Sequence, residues 1–322
     1  MVFFLFIPII LGCIIKKIFF PKTLKSIEDK HVVITGGSSG IGKSAAVLAA
    51  KQGAHVTIIA RNQQNLNTAV TEIKQACTNT KQKIQSISLD VSDYKEVGEK
   101  LNDIEETVGP IYMLINCAGL AICGKLEDIS NEDIQKLVHV NFLGTVYPTK
   151  AVVPKMKQRK EGIIVITASQ AAMVGIFGLS AYSGSKFALR GFAEALDMEL
   201  RHHNISVTVA LPADTDTPGY ETENKSKPVE TAMISESGGL YDPNHVAKII
   251  LQDALEGNFF SYLGIEGFIT SILCVGMSKC SSLLHLFLQA FLLGPFRIIA
   301  CLYLASFNRT IKKCLTKEEK NK

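Results

Sequence analysis

From His31 onward, short runs of β-branched and apolar residues alternate with longer amphipathic stretches. Val32–Thr35, His55–Ala60, Ile84–Leu89, Tyr112–Asn116, Gly162–Ala168 and Ser206–Leu211 have the length and composition of strands. Between them, Lys43–Gln52, Leu66–Cys77, Tyr94–Val108, Asn131–Lys157, Ala181–His202 and Pro243–Glu256 carry helical periodicity. The fourth of these helices contains Pro148 and Pro154, where a bend is expected. Strands alternating with helices predict βαβ units and a parallel sheet covered on both faces. The predicted fold is therefore α/β, a doubly wound (Rossmann) parallel sheet.

Three regions break this rhythm. Residues 212–242 are rich in Pro, Thr, Asp, Glu, Ser and Gly and follow a strand's carboxyl end. Sheets of this kind bind ligands at that edge, so the segment is expected to be a substrate lid. Between Cys280 and Phe307 the only formal charge is Arg297, and Gly294-Pro295 divides the stretch into two apolar pieces. One tilted span, a re-entrant hairpin or an interfacial helix pair would each suit it. At the other end an apolar run reaches Ile15, and the lysines at 16, 17, 22 and 25 come after it. A cleaved signal peptide carries its basic residues first, so the order favours an uncleaved anchor with the domain on the cytosolic side. The expected plan is an anchor over 1–25, a catalytic domain over 30–260, and an apolar, membrane-associated region over 261–322 with a basic tail.

Composition removes some functions. Net charge is only +4, and no basic patch is interleaved with aromatics, which argues against nucleic-acid binding. The eight cysteines form no Cys-x-x-Cys, so neither a zinc site nor a disulfide framework is expected, and no metal is predicted.

Chemistry concentrates in two places. Thr35-Gly36-Gly37-Ser38-Ser39-Gly40-Ile41-Gly42 follows the first strand and opens the first helix. The glycines permit a tight turn and close backbone approach, and the helix N-terminus offers free N–H groups to a dinucleotide pyrophosphate. The second strand ends in Arg61 with no acid beside it. An Asp or Glu here would hold a ribose 2′-hydroxyl, whereas an Arg accommodates a 2′-phosphate, which selects NADP(H). Asp90-Val91 and Asn116-Cys117-Ala118-Gly119 end the third and fourth strands on the same edge. Further along, Ser169 ends the fifth strand, and Tyr182 and Lys186 stand four residues apart on one helix face. A phenol with a neighbouring ammonium is expected to have a lowered pKa and to pass a proton to an oxygen while hydride reaches carbon. Ser169 would donate a hydrogen bond to the same oxygen.

Thr35–Gly42, Asp90, Asn116–Gly119, Asn141, Ser169, Tyr182, Lys186 and Pro212 together resemble the short-chain dehydrogenase/reductases. That resemblance implies a catalytic set of Ser169, Tyr182, Lys186 and Asn141. There Asn141 holds a water in a proton relay, and Lys186 also bonds the nicotinamide ribose. It implies cofactor contacts from Gly36, Ser38, Ser39, Gly40, Ile41, Gly42, Arg61, Asn65, Asp90, Val91, Asn116, Ala118, Gly119, Pro212 and Thr215, besides Tyr182 and Lys186. A narrower likeness rests on Phe177-Gly178, Asp214–Gly219, Glu256–Phe259 and the apolar tail. It implies an endoplasmic-reticulum membrane enzyme that reduces a lipid-like ketone on the cytosolic side. Asp214, Asp216, Glu221 and Glu223 are candidates to attract an amine on that lipid. A steroid or retinoid oxidoreductase is the alternative enzyme, and a nucleotide-sensing scaffold is the alternative outside catalysis.

Overall fold

A computed structural model describes residues 24–276 and 278–320 of the 322-residue chain. The N-terminal apolar run lies outside the described residues, which include only the last two positions of the anchor expected over 1–25. Seven strands form one parallel sheet in the order β3-β2-β1-β4-β5-β6-β7. They are β1 (His31–Thr35), β2 (His55–Ala60), β3 (Ile84–Ser88), β4 (Ile111–Asn116), β5 (Gly162–Thr167), β6 (Ile205–Leu211) and β7 (Phe260–Tyr262). The strand order reverses between β1 and β4, whose ends pair as Thr35 with Asn116, and this switch point opens a crevice at the carboxyl edge.

Helices cover both faces, and strand alternation decides which side chain meets which face. Val32 and Ile34 pack with α1 (Gly40–Lys51), α2 (Gln63–Gln75) and α9 (Pro243–Leu255), while Val33 packs with α3 (Tyr94–Thr107), α5 (Gly144–Arg159) and α6 (Ser180–Leu200). Ala45, Ala46, Ala49 and Ala50 are fully buried, and their small side chains let α1 lie close to its neighbours.

His31 shows how tightly this core is built. Its ring sits between Gly109 O and Thr57 Oγ1, each at 2.8 Å, and burial lowers its pKa to about 4 from 6.5. Between those pH values the unfolded chain binds a proton that the native state refuses, so stability rises with pH there. Lowering the pH from 6.5 to 4 should therefore cost up to about 3 kcal/mol at this site. Urea titrations across that window should show the slope, and His31→Gln should flatten it.

Several elements differ from the sequence reading. The long helix expected from Asn131 is interrupted not at its prolines but at a wide π turn, Val138–Leu143, between α4 (Asn131–Leu137) and α5. This turn carries Asn141 into full burial. Strand β7 has only three residues, too few for periodicity to reveal. The 212–242 segment is partly helical: Thr217 caps α7 (Pro218–Asn224), and α8 (Val229–Ser235) is tied down by Thr231 Oγ1 donating to Phe177 O at 2.7 Å.

Two helices follow the sheet, α10 (Gly264–Leu273) and α11 (Leu283–Lys320). Helix α11 continues through Gly294-Pro295, so the apolar tail is one helix rather than two pieces. Its stretch Leu283–Cys314 is the one described helix long and apolar enough to cross a membrane. It does not stand clear of the domain. Phe296 meets Phe268 of α10 with ring centres 6.1 Å apart, and Cys314 Sγ lies 3.8 Å from Met233 Sδ of α8. The loop before it is strapped to α6: Arg190 donates to Val275 O at 3.1 Å, and Lys279 pairs with buried Asp197 at 2.8 Å.

Candidate active site

Two clefts meet at the switch point. The first, of about 700 Å³, is lined by the β1–α1 loop and by the ends of β2, β3 and β4. Gly36, Ser38, Ser39, Gly40, Ile41, Gly42, Arg61, Asp90, Val91, Ala118 and Gly119 all reach it. The loop is built for close approach. Gly36 has φ +67°, and a Cβ there would lie 2.7 Å from Ala118 N; a Cβ on Gly42 would lie 2.4 Å from Gly36 O. Helix α1 begins at Gly40 with no side-chain cap from Ser39, which leaves its first-turn N–H groups available to an anion. Asp90 Oδ1 accepts from both Ser92 N (2.9 Å) and Ser92 Oγ (2.6 Å). Burial pushes its carboxyl pKa up, but these bonds and the Arg61 guanidinium 3.9 Å away outweigh it and hold the group below its ordinary value.

Not every expected residue lines this cleft. Asn65 is exposed and takes part through its backbone N–H, which donates to Asn62 Oδ1 at 2.9 Å as the cap of α2. Asn116 is buried below the edge, donating to Thr149 Oγ1 at 3.2 Å and Val165 O at 3.3 Å. Asn62, Val140 and Thr217, which sequence reasoning passed over, line it instead. Asn62 follows Arg61 directly and is a strong N-cap type, the one available signal. Thr217 comes from the lid, where no local pattern pointed to the cofactor loop, yet a Cβ on Gly40 would meet its Cγ2 at 2.8 Å.

The second cleft, of about 850 Å³, continues from the first through Cys117, Gly119 and Thr167. Ser169, Tyr182, Lys186, Pro212 and Thr215 line it. Helix α6 places Tyr182 and Lys186 on one face, and the Lys186 ammonium stands 5.7 Å from the Tyr182 ring centre. Lys186 Nζ donates to Thr167 O at 3.0 Å. Ser169 caps the turn after β5 by accepting from Ala171 N at 3.1 Å, and its hydroxyl lies close enough to the Tyr182 phenol to stabilise phenolate. Asn141 is held at both amide atoms: Oδ1 accepts from Leu120 N at 2.9 Å, and Nδ2 donates to Leu120 O and Ser185 Oγ, each at 3.0 Å. A Cβ on Gly119 would lie 3.3 Å from Asn141 Oδ1 and 3.5 Å from Lys186 Nζ, so these groups converge on one spot.

The electrostatics reverse one expectation. Burial, with Glu223 and Asp214 adding to it, raises the Tyr182 pKa above that of a free phenol, and the nearby Ser169 hydroxyl only partly offsets this. Lys186, itself buried, has its pKa lowered to about 8. The phenol is thus kept protonated at neutral pH rather than poised as phenolate, the state a proton donor needs.

The rest of the second cleft is largely apolar. Helix α10 contributes Ile269, Leu273 and the carboxylate of Glu266, and α11 contributes Leu293, Ile299, Tyr303, Leu304 and Phe307 together with Arg297.

The family model for short chain dehydrogenase matches residues 30–228, and this chain belongs to that family of oxidoreductases, which work with a nicotinamide cofactor. Within it, the chain is 47% identical over 303 residues to the 3-dehydrosphinganine reductase of Danio rerio, covering 94% of this chain and 91% of that one. It is 46% identical over 301 residues to the 3-ketodihydrosphingosine reductase of Bos taurus, covering 93% and 90%. A crystal structure of levodione reductase shares the fold, with a TM-score of 0.66 at 22% identity over 73% of this chain and 96% of that one.

Proposed function

We propose that this protein reduces the C3 ketone of 3-ketodihydrosphingosine to dihydrosphingosine, a step of sphingolipid synthesis, with NADPH as reductant. One observation carries the reading. Ser169, Tyr182 and Lys186 converge at the mouth of a long apolar cleft, in a chain similar over nine-tenths of its length to reductases named for that ketone.

The cleft at the β1–β4 switch point suits the cofactor: Gly36 and Gly42 leave no room for a side chain, and α1 presents uncapped N–H groups. Ser38, Ser39 and the α1 N-terminus would hold the pyrophosphate, Asp90 and Val91 the adenine side, and Arg61 the 2′-phosphate. When bound, the cofactor supplies a hydride. Ser169 and Tyr182 hold the carbonyl oxygen between them, and Tyr182 delivers its proton as negative charge develops there. With the cofactor bound, Lys186 would hold its ribose and, with Asn141 through a water, would return a proton to the phenol. Pro212 and Thr215 would lie at the carboxamide end, and residues 212–242 act as the lid.

Arg61 is 65% exposed at its side chain, so its contribution is that of a partly screened charged hydrogen bond. Arg61→Ala should raise the KM for NADPH about tenfold and leave NADH use nearly unchanged. Steady-state kinetics with both cofactors would show it; a native preference for NADH would remove the NADP assignment.

The alkyl chain lies along the wall formed by α10 and α11. Because α11 packs on the catalytic domain at both Phe296 and Cys314, it rests along the membrane surface with exposed Leu283, Leu286 and Leu302 in lipid, rather than acting as a detached stalk. Residues 1–25 add a second anchor, and the domain faces the cytosol at the endoplasmic reticulum. A single-chain lipid concentrates in that membrane, so the enzyme meets its substrate there. The test is a panel of carbonyl compounds offered to the purified protein with NADPH: 3-ketodihydrosphingosine, a steroid ketone and a retinoid aldehyde. Turnover of the first alone is expected. Turnover of a steroid or retinoid, with none of the sphingoid ketone, would contradict the reading.

A further inference from the structure

Resting on the amino-ketone reading above, we infer that Glu223 and Asp214, held in place by Lys227, accept the substrate's ammonium group and so select 2-amino ketones over plain ones. Asp214 follows β6, Glu223 lies on α7, and Lys227 comes just after that helix. Lys227 Nζ sits 2.9 Å from Glu223 Oε1 and 3.6 Å from Asp214 Oδ2, and 4.6 Å from the Tyr220 ring centre. Its side chain is only 5% exposed.

The placement of these groups is asymmetric. Asp214, Tyr220 and Glu223 line the large cleft, and Lys227 does not. Lys227 therefore reaches the carboxylates from behind and leaves them a face on the cleft. Two carboxylates against one ammonium leave a net negative charge. A partly buried, uncompensated charge is costly, so that face suits a cationic ligand. Arg297 of α11 and Glu266 of α10 line the same cleft, whereas Asp214 lies two residues past Pro212, whose carbonyl accepts from Gln170 N at 3.1 Å beside Ser169. The carboxylate face is thus at the reacting end, in the cleft that Lys186 also lines. That is where an amine belongs in this substrate, because it is borne on the carbon bonded to the carbonyl carbon. Of the four lid acids that the sequence offered for this role, Asp216 and Glu221 are exposed and outside the cleft.

A merely structural ion pair would hold the lid for every substrate alike, which gives the test its readout. The full-length protein is assayed on 3-ketodihydrosphingosine and on the same chain lacking the amine. The inference expects the ratio of the two kcat/KM values to fall about 10- to 100-fold in Glu223→Gln, mostly through KM on the amino ketone. A ratio that stays at the wild-type value overturns it. Should the variant not fold, the wild-type protein still decides. Dihydrosphingosine should inhibit at least about tenfold better than its N-acetyl form, the loss of one charged contact, and equal inhibition would overturn the inference. If the wild type reduces neither ketone, the substrate reading falls by itself. Thermal shifts with dodecylamine and dodecanol then read the subsite: a shift by the amine alone supports it, and equal shifts refute it.

Discussion

Tyr182→Phe should lower kcat for ketone reduction by about 10²- to 10⁴-fold, the span expected for losing a positioned general acid. The change removes one oxygen and keeps the ring, so the helix, the Lys186 contact and the cofactor cleft remain. NADPH binding should accordingly survive, measured as cofactor fluorescence on titration. The raised Tyr182 pKa sharpens this expectation. Burial and the neighbouring Glu223 and Asp214 keep the phenol loaded with its proton. Lys186 is the group that titrates near neutrality, at about 8. A decline in kcat/KM for reduction above that pH should therefore reflect loss of the Lys186 charge. A Tyr182→Phe protein with wild-type turnover would remove the phenol from the chemistry.

Gly36→Ala should be the most damaging single methyl group in the cofactor loop. Two independent penalties meet there. The residue holds φ +67°, where an L side chain costs roughly 1 kcal/mol. Its Cβ would also stand 2.7 Å from Ala118 N and 2.8 Å from Cys117 C, both backbone atoms that cannot rotate away. Overpacking of that kind typically costs about 1–3 kcal/mol more. Chemical denaturation should show a loss of about 2–4 kcal/mol, and because β1 and β4 are pushed apart at the switch point, cofactor affinity should fall with it. Gly98 is the natural comparison, since a Cβ there meets nothing within 4 Å. Unchanged stability in Gly36→Ala would show that the loop is looser than its packing implies.

The parts that could be read from sequence are those whose physics is local. Alternating strand and helix patterns predicted six of the strands, and β7 escaped because Phe260–Tyr262 borrows its order from pairing with β6. The glycine loop and the Ser169, Tyr182 and Lys186 spacing are short-range signals, and the structure gathers Gly36, Ser38–Gly42, Ser169, Tyr182 and Lys186 along two joined clefts. The sign of the Tyr182 shift was not legible, because it depends on Glu223 and Asp214, which the fold of the lid brings close. The π turn that buries Asn141 was hidden by a continuous helical pattern, in which the prolines looked like the obvious break. Helix α11 read as a tail, since nothing in its apolar run says that Tyr303, Leu304 and Phe307 form a wall of the same cleft as Tyr182.

Isotope transfer tests the chemistry most directly. The purified protein is given 3-ketodihydrosphingosine and NADPH deuterated at the transferable C4 position, and the product is analysed by mass spectrometry. The account expects dihydrosphingosine carrying one deuterium at C3 and none elsewhere, with turnover lost in Tyr182→Phe. Dihydrosphingosine without the label, or no product from a protein that binds NADPH, would contradict it.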